Sequence, residues 1–558
     1  MKKVNVMKRI LSFVLSLSVM FAVAFVPKTA YAYDVRTDVR SVASVPADLS
    51  GKLVVIHTND VHGAIDGYAQ VSALRNEIRA RGAEVVLVDV GDFSQGSPYV
   101  SATKGADAIT MMNAAGYDIA TLGNHEFDYG YAQLMDNLSR ASFKTICADV
   151  LDAEGKPIVD ANYVYTTADG VKVGFFGLET PETQTKVNPA LIKGIKFLEG
   201  AEMYASAQAQ VDALKAQGCD LIVCLSHLGV DEESAAEGHR SVDMLAHVSG
   251  IDIVIDGHSH TVMSAGESFE PVQSTGTKNE NVGLVIIDKK TKAIESKYLV
   301  KLDDGVIKDP GVEAAAKTIT DRIDTEYGVQ FATSEVDLNG KKEPGVRTEE
   351  TNLGDLICDA LKWSVLKEKG SITVDEDHVV AITNGGGIRA SINAGAVTKK
   401  DLNTVLPFGN TVAVVYVTGA DMLEALEAST YCTPEAVGGF PQVSGIEFTV
   451  NTSVPFAQGE AYPDSTYYKP AAINRVSIQS VNGKPFSPTD TYAVVTNNFV
   501  AAGGDTYYAF GSATNQFDTG IVMDEAVMDY VTTELGGKIS AKDYGTVKGN
   551  IKFGSSQQ

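Results

Sequence analysis

Cysteine is scarce in this chain: five in 558 residues, at Cys147, Cys219, Cys224, Cys358 and Cys432. No C-x-x-C pair is present, which excludes the usual thiolate zinc and dithiol redox sites. An odd count leaves at least one thiol free or bridging between molecules. Cys219 and Cys224 bracket an extended run, where their Cα atoms stand about 16 Å apart, beyond disulfide reach. Buried structural thiols are the expectation for most of the five. Positive charge is also in deficit, with 46 Lys and Arg against 71 Asp and Glu, a formal charge of −25. Such a field repels duplex nucleic acid and anionic membrane, so an anionic ligand has to be captured locally, by metal ions or by single arginines.

Long apolar runs are missing beyond residue 26, which leaves no later membrane span. The one early run, Ile10 to Val26, follows Lys2, Lys3, Lys8 and Arg9 and ends at Ala30-Tyr31-Ala32. This is the pattern of a secretory signal with an A-x-A site, and cleavage is expected after Ala32. No cysteine follows the run to accept lipid, so the mature chain is expected outside the cytoplasm, secreted or periplasmic, without a stable membrane anchor. Residues 1–32 carry five positive charges and no acid, so their removal takes the charge to −30.

A chain of this length is too long for one core, and at least two domains are expected. In the first half, apolar strands alternate with helices, and each strand discharges polar side chains at its carboxyl end. Leu53 to Ile56 runs into His57-Thr58-Asn59-Asp60-Val61-His62-Gly63, a D-x-H pair whose two members face one way in extended backbone. The strand Glu84 to Val90 ends in Gly91-Asp92. Tyr117 to Leu122 ends in Gly123-Asn124-His125-Glu126-Phe127-Asp128. After a less regular stretch, 147–178, Asp220 to Leu225 ends in Ser226-His227, and Ile251 to Ile255 ends in Asp256-Gly257-His258-Ser259-His260. Residue pattern alone places these five ends along the edge of one parallel sheet, where ligands of open α/β sheets bind.

Asp60, His62, Asp92, Asn124, His227, His258 and His260 make seven oxygen and nitrogen donors without sulfur. That set is too large for one tetrahedral ion and suits two ions of borderline hardness, zinc or manganese, bridged by a carboxylate. Metals about 3.5 to 4 Å apart turn a bridging water into a nucleophile and offset charge on a transferring phosphoryl group. Asn124 and His125 point to opposite sides of the strand end, so one serves a metal and the other the substrate. Asp128, three positions on, can orient the His125 imidazole. His57 lies within an apolar run and reads as a packed strand residue; His239, His247 and His378 carry no motif.

The second half is another αβ region, reached through an amphipathic helix, Val312 to Tyr327. Arg347 precedes a helix running to about Leu366. The strand Val379 to Thr383 ends in Asn384-Gly385-Gly386-Gly387-Ile388-Arg389, where glycines permit close approach of backbone to a ligand and an arginine can clamp phosphate. Two loops, Leu406-Pro407-Phe408-Gly409-Asn410 and Asn497-Asn498-Phe499-Val500-Ala501-Ala502-Gly503-Gly504-Asp505, each present a phenylalanine in polar text. Two such rings can sandwich a nucleobase, with a carboxylate accepting from ribose hydroxyls.

The ordered series D-x-H, G-D, G-N-H-E, H and G-H-x-H resembles the calcineurin-like metallophosphoesterases, and its flanking residues resemble their 5′-nucleotidase branch. N-G-G-G-I-R, L-P-F-G and N-F-x-A-x-G-G-D resemble that branch's substrate-binding domain. The resemblance implies an α/β fold: a four-layer αββα metallophosphoesterase domain over 50–305, a linker helix over 306–330, and a smaller α/β substrate-binding domain over 331–553. It implies that Asp60, His62, Asp92 and His260 hold one divalent metal and Asp92, Asn124, His227 and His258 the other, with Asp92 bridging. His125, paired with Asp128, would meet the phosphate and assist the leaving group. Phe408 and Phe499 would stack the base, Asn384 contact it, Asp505 bind ribose, and Arg347 with Arg389 hold phosphate. Close relatives carry an amide where His260 stands, which bears on metal preference, and family members move the second domain, with the linker helix the expected hinge.

The expected activity is release of phosphate from nucleoside 5′-phosphates. Alternatives are a 2′,3′-cyclic nucleotide phosphodiesterase with 3′-nucleotidase activity, a UDP-sugar hydrolase, or a non-catalytic secreted nucleotide-binding protein; filled ligand positions count against the last.

Overall fold

The structure, a computed structural model, describes residues 35–188, 191–231, 238–303, 305–367, 372–463 and 465–554. The expected signal segment and its cleavage site lie outside them. Among the described residues no helix is long and apolar enough to cross a membrane.

The first half holds two large sheets rather than one. A seven-stranded sheet runs in the order Val39–Arg40, Ala293–Lys301, Asn281–Asp288, Lys52–Thr58, Glu84–Asp89, Ile119–Ala120, Lys144–Thr145. A six-stranded sheet runs Val262–Met263, Val272–Thr275, Ile253–Asp256, Leu221–His227, Lys172–Glu179, Asn162–Thr166. The five polar strand ends are therefore shared, three by the first sheet and two by the second. Within each sheet the strands that carry them run parallel.

Alternation along the strands explains the stacking. Leu53, Val55, Val86 and Val88 face Val173, Phe175, Val223, Leu225 and Ile255 in a core between the sheets. Val54, Ile56, Val85 and Leu87 point the other way, into a core shared with the helices Gly67–Ala80, Ala106–Ala115 and Pro310–Tyr327. A strand covered on both faces has no polar side to show, which is why Leu53 to Ile56 is wholly apolar. On the outer face of the second sheet, Leu214 of the helix Gly200–Ala216 packs where Gly174 leaves room. Helices, sheet, sheet and helices thus form four layers.

The strand Lys172–Glu179 falls largely within the stretch expected to be irregular, and it pairs in parallel with Leu221–His227, the strand that carries His227. Its two glycines hid it. A Cβ on Gly177 would lie 2.2 Å from the Ile146 carbonyl oxygen, so the residue that breaks the apolar pattern is the one that lets two segments touch.

The helix Pro310–Tyr327 begins with Asp309 accepting from Gly311 and Val312 N–H, with proline in the first turn. Its buried face, Val312, Ala316, Ile319 and Ile323, belongs to the first-domain core. Beyond it a five-stranded sheet, in the order Pro441–Ser444, Val379–Asn384, Thr491–Asn497, Thr411–Thr418, Gln516–Val522, carries the helix Asn352–Leu366 on one face and Gly419–Ser429 on the other.

Candidate active site

Six of the seven predicted donors are buried or nearly so, and they converge where the two sheets of the first domain end. Ligand atoms of Asp60, His62, Asp92 and His260 all lie within 4.8 Å of one another. Nε2 of His227 stands 3.2 Å from Asp92 Oδ2 and 3.9 Å from Asp60 Oδ1. Nδ1 of His258 is 3.0 Å from Asn124 Oδ1, and its backbone N–H donates to the Asp60 carboxylate at 3.1 Å. Five of the seven, Asp60, His62, Asp92, His258 and His260, have φ between 45° and 70°. Left-handed backbone is unusual for residues other than glycine and clusters at functional sites.

Glycines set the spacing. A Cβ on Gly123 would fall 2.4 Å from Asp92 Oδ1, and one on Gly91, at φ 96°, would fall 2.4 Å from the Gly123 nitrogen. Around them stand residues that the motif reading left without a role. Glu126 accepts from the backbone N–H groups of Asp92, Phe93, Ser94 and Gly123 at 2.7 to 3.0 Å, tying two loops to one carboxylate. Asn59 donates to Asp60 Oδ2 at 2.6 Å. Glu182 Oε2 lies 3.1 Å from His258 Nε2. Glu126 carried a readable signal, an acid three residues after the glycine that starts a turn; Glu182 follows the strand hidden by its glycines.

The donor chemistry fits divalent cations. His227 Nδ1 is hydrogen-bonded to the Val90 carbonyl at 2.6 Å, while its buried Nε2 has no hydrogen-bond partner and faces two carboxylates. Nε2 of His62 and Nε2 of His260 stand 3.0 Å apart. Burial holds His62 down at about 3, so a neutral ring meets the His260 nitrogen. Burial also pushes Asp60 up to about 7. Asp92 resists burial and is held well below the carboxylate range by His227 and His125. His227, against burial, is raised well above its ordinary value by Asp92 and Asp60. The centre therefore demands positive charge beside its carboxylates, and a cation placed among these lone pairs supplies it.

His125 Nδ1 is hydrogen-bonded to Asp128 Oδ2 at 2.7 Å, and the pair lies in a short 3-10 turn, Asn124–Phe127, with its cap. The full helix begins later, at Tyr131. Burial lowers His125 to about 3 and raises Asp128 well above its ordinary value, so charge separation within the pair is suppressed. His57 is fully buried, opposite Gly283, and burial pushes it down to about 3; it packs and takes no part.

One cleft of about 810 Å³ is lined by His62, Asp92, Asn124, His125, Asp128, His258 and His260 from the first domain, and by Arg347, Asn384, Arg389, Phe408, Phe499 and Asp505 from the second. Asp60 and His227 lie beneath its wall. The Phe408 ring is 5.7 Å from the His125 ring, and the Arg389 guanidinium carbon is 5.7 Å from the Phe408 centroid. Burial, with Arg347 next to it, lowers Arg389 to about 10. Asn384 donates to Asp505 Oδ2 at 2.7 Å and accepts from Asn497 at 3.1 Å. Its amide thus holds the carboxylate. Phe499 is 7 % exposed, with its ring over Gly504, where a Cβ would be 2.2 Å from it. The close approach that Gly385 permits is to the protein's own backbone rather than to a ligand: a Cβ there would lie 1.9 Å from the Val346 carbonyl oxygen.

Family models match two parts of the chain, calcineurin-like phosphoesterase over residues 53–262 and the 5′-nucleotidase C-terminal domain over residues 330–512. The trifunctional nucleotide phosphoesterase protein YfkN of Bacillus subtilis (strain 168) is 31% identical across 94% of this chain, which spans only 37% of that protein's length. Snake venom 5′-nucleotidase of Gloydius brevicauda is 28% identical, over 90% of this chain and 89% of that one. Among solved structures, the 5′-nucleotidase precursor from Thermus thermophilus superposes with a TM-score of 0.73 at 29% identity, covering 91% of this chain and 100% of that one. Four layers with carboxylate and imidazole donors at their strand ends, and a second domain closing the same cleft, define a two-domain metallophosphoesterase. The chain belongs to the 5′-nucleotidase family, in which a calcineurin-like phosphoesterase domain is joined to a 5′-nucleotidase C-terminal domain.

Proposed function

We propose that this protein hydrolyses the phosphomonoester of nucleoside 5′-phosphates outside the cytoplasm, after removal of residues 1–32. The observation that carries the reading is the single cleft, in which the donor cluster and the Phe408, Phe499 and Asp505 loops face the same space. Asp60, His62, Asp92 and His260 would hold one divalent ion, and Asp92, Asn124, His227 and His258 a second, with zinc or manganese suiting the nitrogen and oxygen donors. Such a pair supplies Lewis acidity and neutralises charge on the phosphoryl group.

The chain's own groups do the rest. Phe408 and Phe499 stack the base, and Asp505, oriented by Asn384, accepts from the ribose hydroxyls. Arg389 and Arg347 grip the phosphate oxygens, which offsets the repulsion expected from an acidic surface. His125, fixed through Nδ1 by Asp128, turns Nε2 to the ester as charge develops on the leaving oxygen. Water adds to phosphorus, the P–O bond to the nucleoside breaks, and the leaving oxygen takes up a proton.

Phosphate release from AMP, ADP, ATP, UDP-glucose and 2′,3′-cyclic AMP, each with several divalent metals, tests the reading. AMP as the preferred substrate supports it. Preference for the cyclic nucleotide or for UDP-glucose would transfer the protein to one of those activities, and no release from any would leave a binding protein.

A further inference from the structure

We infer that Glu182 is a positioning residue that turns His258 toward its metal ion, and that docking of the next residues, Thr185 and Lys186, on the second domain keeps Glu182 in place. The inference rests on the reading of His258 and Asn124 as metal ligands.

The His258 ring is held at both nitrogens. Nδ1 lies 3.0 Å from Asn124 Oδ1, on the side of the donor cluster, and Nε2 lies 3.1 Å from Glu182 Oε2. A carboxylate on Nε2 keeps the proton there and leaves the Nδ1 lone pair directed at the cluster, the arrangement that orients many metal-binding histidines. Nδ1 and Asn124 Oδ1 are then two acceptors side by side, which a cation reconciles. Glu182 is 2 % exposed, so its carboxylate is committed to the interior.

The short helix that follows, Thr183–Lys186, spans the domains. Thr183 Oγ1 donates to Glu179 at 2.5 Å, fixing the segment to the second sheet of the first domain. Two residues on, the Thr185 carbonyl accepts from the Asp505 backbone N–H at 2.7 Å, and Thr185 Oγ1 stands 3.2 Å from Thr466 Oγ1. Lys186 Nζ donates to the Tyr467 hydroxyl at 2.7 Å and lies 3.8 Å from Asp505 Oδ1. Five consecutive residues therefore join a metal-facing imidazole to the loop proposed to bind ribose. A shift of that loop is transmitted to the orientation of His258 through rigid, hydrogen-bonded contacts.

The test is manganese binding by the full mature protein, freed of metal and titrated against a chromophoric chelator, with thermal melting as the check on folding. Glu182→Gln is expected to weaken one of two ions by about 10- to 100-fold, leaving the other unchanged. The Lys186→Ala/Tyr467→Phe double variant, which removes the hydrogen bond between the two side chains, is expected to weaken the same ion by about twofold or more. His258→Ala separates the two readings. If it loses one ion while Glu182→Gln binds both as the wild type does, the positioning role is overturned. An unchanged double variant overturns the docking role. If His258→Ala itself binds both ions normally, the ligand assignment beneath the inference is wrong. Should Glu182→Gln lower both ions equally or fail to fold, Glu182→Asp, which retains the charge, should restore the second ion; failure to do so also overturns the inference.

Discussion

His125 and Asn124 are neighbours to which the proposed reading gives opposite duties, so variants at the two should fail differently. If His125 faces the ester and holds no ion, as proposed, His125→Ala should lower kcat by about 10²- to 10⁴-fold with metal content unchanged. Asn124→Ala should lose turnover together with one ion, and metal analysis beside the rate distinguishes them. At this scale the convergence of these side chains was readable in the sequence, because a polar group at the end of an apolar strand stands out from the run before it. What was not readable is how Asn384 is used. Its amide donates to Asp505 and accepts from Asn497, and only the folded chain shows which polar group claims which partner.

Loops and helices are where the backbone polar groups are settled. Glu126 satisfies four N–H groups from two loops, and Glu126→Gln would turn an amide N–H toward at least one of them. A buried donor left unpaired costs about 1–3 kcal/mol, so a lower melting temperature is expected, with loss of metal as Asp92 drifts. In the second domain Glu350 accepts from the N–H groups of Gly549, Asn550 and Ile551. Burial, with Glu350 alongside, pushes the nearby Asp355 carboxyl up to about 8 from 3.8. Between those values the folded protein keeps a proton that the unfolded chain has released, so this group's contribution to stability declines as pH rises through the window. Asp355→Asn, neutral throughout, should flatten the dependence and raise the melting temperature at pH 8 relative to the wild type. Melts at several pH values decide it; an unaltered profile would exclude Asp355 as the cause. Apolar runs announced most site-bearing strands, yet they say nothing about which sheet a strand joins, since membership depends on pairing partners far along the chain. The one-sheet expectation drawn from residue pattern failed for that reason, where the four layers implied by the resemblance are present, and Lys172–Glu179 escaped notice because Gly174 and Gly177 interrupt its pattern.

Taken whole, the molecule draws no covalent cross-link from its three buried thiols: Cys147, Cys224 and Cys358 are free. Burial also drives those three thiols well above their ordinary range, which makes them poor nucleophiles. Melting with and without a reductant should give the same temperature, and a fall on reduction would reveal a bridge. The left-handed backbone at the donors bears on how such a centre can change over time. His260, at φ 54°, has a side chain 37% exposed, the most open of the donors. Asparagine tolerates that backbone better than almost any residue except glycine. His260→Asn should therefore melt like the parent while reordering its choice among zinc, manganese and cobalt. With its rim open to substitution, such a centre can be retuned to whichever ion its surroundings provide without rebuilding the scaffold that grips the rest.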